Sequence, residues 1–86
     1  MKYSFTATQK KAIKRVLGYG YVGKIKSYFD NNNVTNANNE PFSKANIRVL
    51  FNSQTTNELA YKKILELFDI KEKEQLKIKQ QLKKIA

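Results

Sequence analysis

The sequence predicts an all-α domain of four or five helices, with no sheet of consequence. Three observations predict it. Helix start and stop signals recur along the chain: Thr6 with Gln9, Gly18 behind an apolar run, Ser43 after Pro41, and Thr55 with Glu58. Between those signals, apolar residues return at three- and four-residue spacing, the period of a helix with one buried face. The one biased stretch, residues 31–40, is rich in asparagine, which bonds to its own backbone and tolerates left-handed turns. It reads as a lengthened loop between two helices that forms at most a small turn or ribbon.

The first helix opens at Thr6, and Ala12, Ile13, Val16 and Leu17 fall on one face before Gly18 closes it. The second runs from Tyr21 to Asn31, with Val22, Ile25, Tyr28 and Phe29 as its apolar stripe and Gly23 as a weak point. The third has the best-marked start. Pro41 discourages a helical Glu40, and Ser43 is placed to accept a bond from the amide of residue 45 or 46. Phe42 and Ile47 have the spacing of a hydrophobic staple, and the helix runs to Asn52. Thr55 and Glu58 start the fourth helix, whose buried face is Leu59, Ala60, Ile64, Leu67 and Phe68. Residues 71–86 form a basic tail with Ile78, Leu82 and Ile85 on one stripe. It either continues the fourth helix or, after a bend at Asp69 and Ile70, forms a fifth.

The 86 residues make one domain, read as a compact unit over 1–70 followed by the tail over 71–86. So small a domain buries only about 60% of the surface its unfolded chain exposes, so its core is thin. No apolar stretch approaches the roughly 18 residues of a membrane span, and the first residues lack the apolar run of a signal peptide. A cytoplasmic location in a bacterial cell is therefore expected, with no membrane partner. The chain has no cysteine and no histidine. Disulfides, Cys/His zinc sites, thiol nucleophiles and the commonest general base are thereby removed. The seven acids form no pair beside an apolar pocket. The expectation is a protein that is not an enzyme and uses no cofactor, metal or small-molecule substrate.

Charge is the strongest compositional signal: 17 basic residues against 7 acidic, a net charge of +10. Residues 1–29 hold Lys2, Lys10, Lys11, Lys14, Arg15, Lys24 and Lys26 and no acid, while residues 70–86 hold six bases and two acids. An acid-free basic block suits a polyanion. Lys10, Lys14, Lys24 and Lys26 are the candidates for contacting phosphates.

On a helical wheel over residues 43–53, Ile47, Leu50 and Phe51 cluster within one third of the circle and face inward. Ala45, Arg48, Val49 and Asn52 lie on the other side. Solubility does not explain an outward Val49 beside a small Ala45. Against DNA both could pack on thymine methyl groups, and Arg48 could reach guanine or a phosphate. A short, well-capped helix with such a face fits a major groove about 12 Å wide.

The run Ile47-Arg48-Val49-Leu50-Phe51-Asn52-Ser53, followed by Leu59, Ile64 and Leu65, resembles the recognition helix and next helix of lambda-repressor-like (repressor/Cro type) helix-turn-helix domains. The likeness covers roughly residues 6–70. It implies a sequence-specific DNA-binding protein, a transcriptional regulator of phage type, with the helix at 43–52 in the major groove. Lys44, Ala45, Arg48 and Val49 would then read bases, and Asn52 would touch the phosphate backbone. Two features differ from that family: about ten residues separate the second and third helices, and Ser53 stands where glycine is usual. The longer loop, with Pro-aromatic-Ser ahead of the third helix, is similar to small phage-related regulators of Bacteroidetes.

Three functions follow from these residues. The first is binding of double-stranded DNA, with a homodimer through the C-terminal tail. The second is a small basic phage or plasmid protein that grips a host or virion protein. The third is an RNA-binding or nonspecific architectural protein, for which Tyr19 and Tyr21, flanking Gly20, are the candidate exposed stacking pair.

Overall fold

Side-chain caps fix where the helices begin. Thr6 Oγ1 accepts from the Gln9 amide at 3.1 Å and Gln9 Oε1 accepts from the Thr6 amide at 2.8 Å. This reciprocal pair satisfies two donors that the helix leaves free, and α1 runs Ala7–Leu17. Gly18 ends it at φ 78°, its N–H donating to the Lys14 carbonyl at 2.8 Å. After Tyr19 and Gly20 comes α2, Tyr21–Asn31. Ser43 Oγ accepts from the Asn46 amide at 3.1 Å and opens α3, Lys44–Asn52. The last helix, α4, runs Glu58–Ile85. The computed structural model describes residues 2–36 and 38–85; Ala37 in the asparagine-rich loop and the two terminal residues lie outside the described residues. Among the described residues the chain is all-α, with two isolated β-bridges and no strand.

Two expectations about α4 are corrected. Thr55 does not cap it. Its backbone is taken by an antiparallel bridge to Tyr3, with N–H···O distances of 2.7 and 2.8 Å, and the cap falls to Asn57, whose Oδ1 accepts from the Ala60 amide at 3.0 Å. Leu59 is not buried either: it lies to one side of the inward row Ala60, Ile64 and Leu67 and is 52% exposed, while Phe68 is half-buried. Of the two readings of the tail, the structure takes the first: α4 continues without a break through Asp69 and Ile70 to Ile85. Burial nevertheless stops there. Lys71 is half-buried and residues 72–85 are exposed, so the last half of the helix runs out past the core, tied back near its start by Gln75 Nε2, which donates to the Val16 carbonyl at 2.8 Å. The molecule is accordingly elongated, 51 × 27 × 21 Å.

The core gathers Ile13 and Leu17 of α1, Val22, Ile25 and Phe29 of α2, Ile47, Leu50 and Phe51 of α3, and the α4 row. The inward trio of α3 is therefore where the wheel puts it. Two contributions come from outside the helices. Phe5, in the segment before α1, packs on Phe51 at 5.4 Å between ring centroids and on Tyr61 at 4.7 Å. Tyr3 stacks on the same Tyr61 at 5.1 Å, so the bridge to Thr55 and these rings strap the N-terminal segment over the α3–α4 junction.

The loop between α2 and α3 folds as a small ribbon. Asn33 turns the chain at φ 55°, a left-handed conformation that asparagine tolerates, and the Val34 amide then bonds to the Phe29 carbonyl at 2.9 Å. Thr35 pairs with Pro41 across the ribbon, and Asn36 Oδ1 accepts from the amides of Asn38 and Glu40 at 2.9 and 3.1 Å. Buried Val34 and Phe42 anchor the two ends, Phe42 meeting Phe29 edge-on at 5.4 Å. The lengthened connection thus holds α3 to α2 through packing. At its other end α3 finishes on Ser53 in an extended conformation, φ −124°, so no left-handed glycine is needed. Behind α2, the Tyr28 hydroxyl donates to the Glu66 carboxylate, which pushes the phenol pKa up to about 12. The same bond, joined by Lys63, lowers the pKa of Glu66.

Phe51 is fully buried between Phe5, Tyr21 and the core of α3. Phe51→Ala is expected to cost about 3–5 kcal/mol in urea unfolding because it leaves a cavity in a thin core. Leu82→Ala, on the clear half of α4, should shift stability by no more than about 0.5 kcal/mol. Equal losses would mean that the core is not organised around Phe51.

Candidate nucleic-acid interface

The outward face of α3 follows from the burial of the inward one. With Ile47, Leu50 and Phe51 fixed in the core, Lys44, Ala45, Arg48, Val49 and Asn52 must project away, and all five are exposed. Val49 is 64% exposed. Among the described residues no other part of the chain covers this face enough to bury any of the five. Lys44 lies over α2 at Gly23, where a β-carbon would meet its Cε and Nζ at 3.9 Å. Lys44 and Arg48 border a shallow groove whose far wall is the turn Gly18-Tyr19-Gly20.

Asn52 differs in detail from the residue expected to reach a phosphate. Its side-chain amide turns back on α3 and donates to the Arg48 carbonyl at 2.9 Å. Its own carbonyl accepts from Lys10 Nζ at 3.2 Å.

The four lysines proposed as phosphate contacts all have partners within the chain. Lys10 reaches the C-terminal end of α3 through Asn52. Lys14 lies over the rings of Tyr21 at 5.5 Å and Phe51 at 5.9 Å, within cation–π range. Lys24 donates to the Leu17 carbonyl at the C-terminal end of α1. Lys26 bonds to the Phe42 carbonyl at 3.0 Å, just before α3, and to Asp30 at 3.2 Å. Each ammonium therefore helps to hold an element of the fold. Three of the four also touch α3 or the residues that border it, so positive charge gathers around this helix. Apart from Lys26 and Asp30, which have the i,i+4 spacing of a helical pair, sequence spacing gave no sign of these contacts, because their partners are backbone carbonyls and rings brought near only by the fold.

The acids lie elsewhere. Helices α1 and α3 contain none, α2 contains only Asp30, and five of the seven sit in α4. In α4 they pair locally: Glu58 with Lys62 at 2.7 Å, Glu66 with Lys63 at 3.3 Å and Glu74 with Lys71 at 3.4 Å. Hydrogen bonding and charge from Lys62 lower the Glu58 pKa and in return raise that of Lys62. Exposed pairs of this kind add little stability. They neutralise part of α4, and the unbalanced cations lie around α3 and on the end of α4, where Lys77, Lys79, Lys83 and Lys84 follow the last acid.

No protein-family model, no curated protein and no solved structure matches this chain. The interface therefore rests on its own geometry. Sequence reasoning named its outward residues but missed Gly23 as the seat of Lys44, and it paired Tyr19 with Tyr21. Tyr21 is half-buried against Phe51 at 5.3 Å, whereas Tyr19 is fully exposed.

The bond from Lys24 to the end of α1 separates two lysines of similar exposure. Lys24→Ala should lower stability by about 0.3–1 kcal/mol, since a cation at a helix C-terminus is lost. Lys44→Ala, which removes no hydrogen bond found among the described residues, should leave the melting temperature close to that of the wild type. Paired thermal melts check this, and equal melting temperatures for all three proteins would remove Lys24 as a tie between α1 and α2.

Proposed function

We propose that this chain binds double-stranded DNA and reads it by docking α3 in the major groove, as a small transcriptional regulator would. The observation that carries the reading is the outward face of α3. It is short, capped and free of acids, and it presents Lys44, Ala45, Arg48 and Val49 together on a helix whose opposite side is locked in the core. In a major groove, Arg48 has the donors to bond guanine, and Ala45 and Val49 have the apolar surface to meet thymine methyls. The surrounding lysines supply the sequence-independent attraction, which weakens as salt rises because bound counterions are no longer released at a gain.

Arg48→Ala should cost about 1–3 kcal/mol on a preferred duplex and relax selectivity at one position. Its melting temperature should stay near that of the wild type, since the side chain is exposed. Gel shifts over a salt series, on duplexes selected from a random pool, measure both effects. Suppose that Arg48→Ala, Val49→Ala and Lys44→Ala all kept full binding on every duplex while remaining folded. Helix α3 would then not read bases, and a protein partner would become the better reading.

The clear half of α4 supports a second element of the proposal, a homodimer. Ile78, Leu82 and Ile85 are exposed and share one stripe, which continues the row of Ala60, Ile64 and Leu67 beyond the core. A lone helix of this length is marginal in water, and a second copy would offer the same stripe. Sedimentation over a concentration series should show a monomer–dimer equilibrium that is lost when the chain is cut after Lys71. A full chain that stays monomeric at the highest concentrations would remove the dimer and leave the reading of α3 untouched.

A further inference from the structure

Among the five tyrosines, Tyr3, Tyr21, Tyr28 and Tyr61 are half-buried, and only Tyr19 stands wholly in solvent. Its backbone is nevertheless well held. Gly18 and Gly20 flank it at φ 78° and 76°, values that a residue with a side chain rarely adopts, so the turn is made by the two glycines. Both necks of the turn are tied: Gly18 N–H bonds to Lys14 at 2.8 Å, Lys24 N–H bonds to Gly20 at 3.2 Å, and the Lys24 ammonium reaches across to Leu17. The knob that results shares a groove with Lys44 and Arg48, and no acid lines that groove.

We propose that Tyr19 is a contact to the phosphate backbone, its hydroxyl donating to a phosphate oxygen on the strand that borders the groove entered by α3. This rests on the DNA-binding reading above. A tyrosine hydroxyl is an uncharged donor, and a bond from it to a phosphate is assisted by the phosphate charge. Such a contact fixes how the protein sits on the duplex without reporting sequence. Because the turn is already ordered, little backbone freedom is lost when the contact forms.

The contact has a signature that separates it from its neighbours. Removing a lysine lowers the salt slope, and removing a base-reading arginine relaxes selectivity; removing Tyr19 should do neither. Fluorescence anisotropy tests this with the full chain, Tyr19→Phe and Tyr19→Ala, on a random-sequence duplex, a duplex selected by the wild type and a single-stranded oligonucleotide, each over a salt series. Both variants are expected to bind both duplexes about three- to tenfold more weakly, the range of one hydrogen bond. The salt slope and the preference for the selected duplex should not change. Wild-type affinity in Tyr19→Phe would overturn the proposal, because the ring and not the hydroxyl would be at work. A larger loss on the single strand than on duplex would also overturn it, in favour of base stacking. Wild-type affinity in both variants, with the wild type itself binding duplex, sinks this inference alone. A folded wild type that binds no duplex even at low salt sinks the DNA-binding reading and this inference with it.

Discussion

Phe51 sits where three otherwise separate parts of the chain meet. Phe5 reaches it from the segment before α1, Tyr21 from the first residue of α2, and Lys14 lies over its ring from α1. The ring has no exposed surface, so each neighbour is placed by contact with it. A domain of 86 residues has little apolar area to spend, and concentrating it on one aromatic position gives α3 a fixed rotation about its own axis. That rotation decides which residues face outward. Had the inward trio been less bulky, Arg48 and Val49 would not be held on one side of the helix.

How much of this was legible in the sequence varied with the range of the interaction. The boundaries of α1, α2 and α3 were readable because their caps are local: Thr6 with Gln9, Gly18, and Ser43 within three residues of Asn46. The start of α4 was misread for a long-range reason. Thr55 has the spelling of a cap, but Tyr3, more than fifty residues away, bonds to its backbone and passes the cap to Asn57. The same strap explains why Phe5 was not recognised as core, since a lone aromatic before a helix has no periodicity to betray it. The outward row of α3 was visible on a wheel. The ties from Lys10, Lys24 and Lys26 to backbone carbonyls distant in sequence were not, because a backbone carbonyl carries no mark in the sequence.

The charges show a division of labour by position. In α4 three acids pair with lysines at helical spacing, while Lys77, Lys79, Lys83 and Lys84 follow the last acid. Around α3, Lys10 and Lys14 meet a carbonyl oxygen and ring faces, partners that hold an ammonium without cancelling its charge, while Lys26 is also paired with Asp30. The fold thereby keeps its cations ordered and still positive toward the outside. An ordered cation has less freedom to lose when it meets an anion, and it sits at a definite distance from the helix it surrounds.

The ribbon between α2 and α3 has a consequence for how this chain can vary. In a tight turn between two helices, every added residue swings the second helix. Here Val34 and Phe42 are both buried and Thr35 is paired with Pro41, so the connection is closed off below its tip. The tip beyond that pair is free to lengthen or change in composition, at the slowly rising entropy cost of a longer loop, without moving α3. Length change in the ribbon is therefore decoupled from the angle of the helix behind it. A family built on this plan could carry ribbons of many sizes beside one unchanged α3.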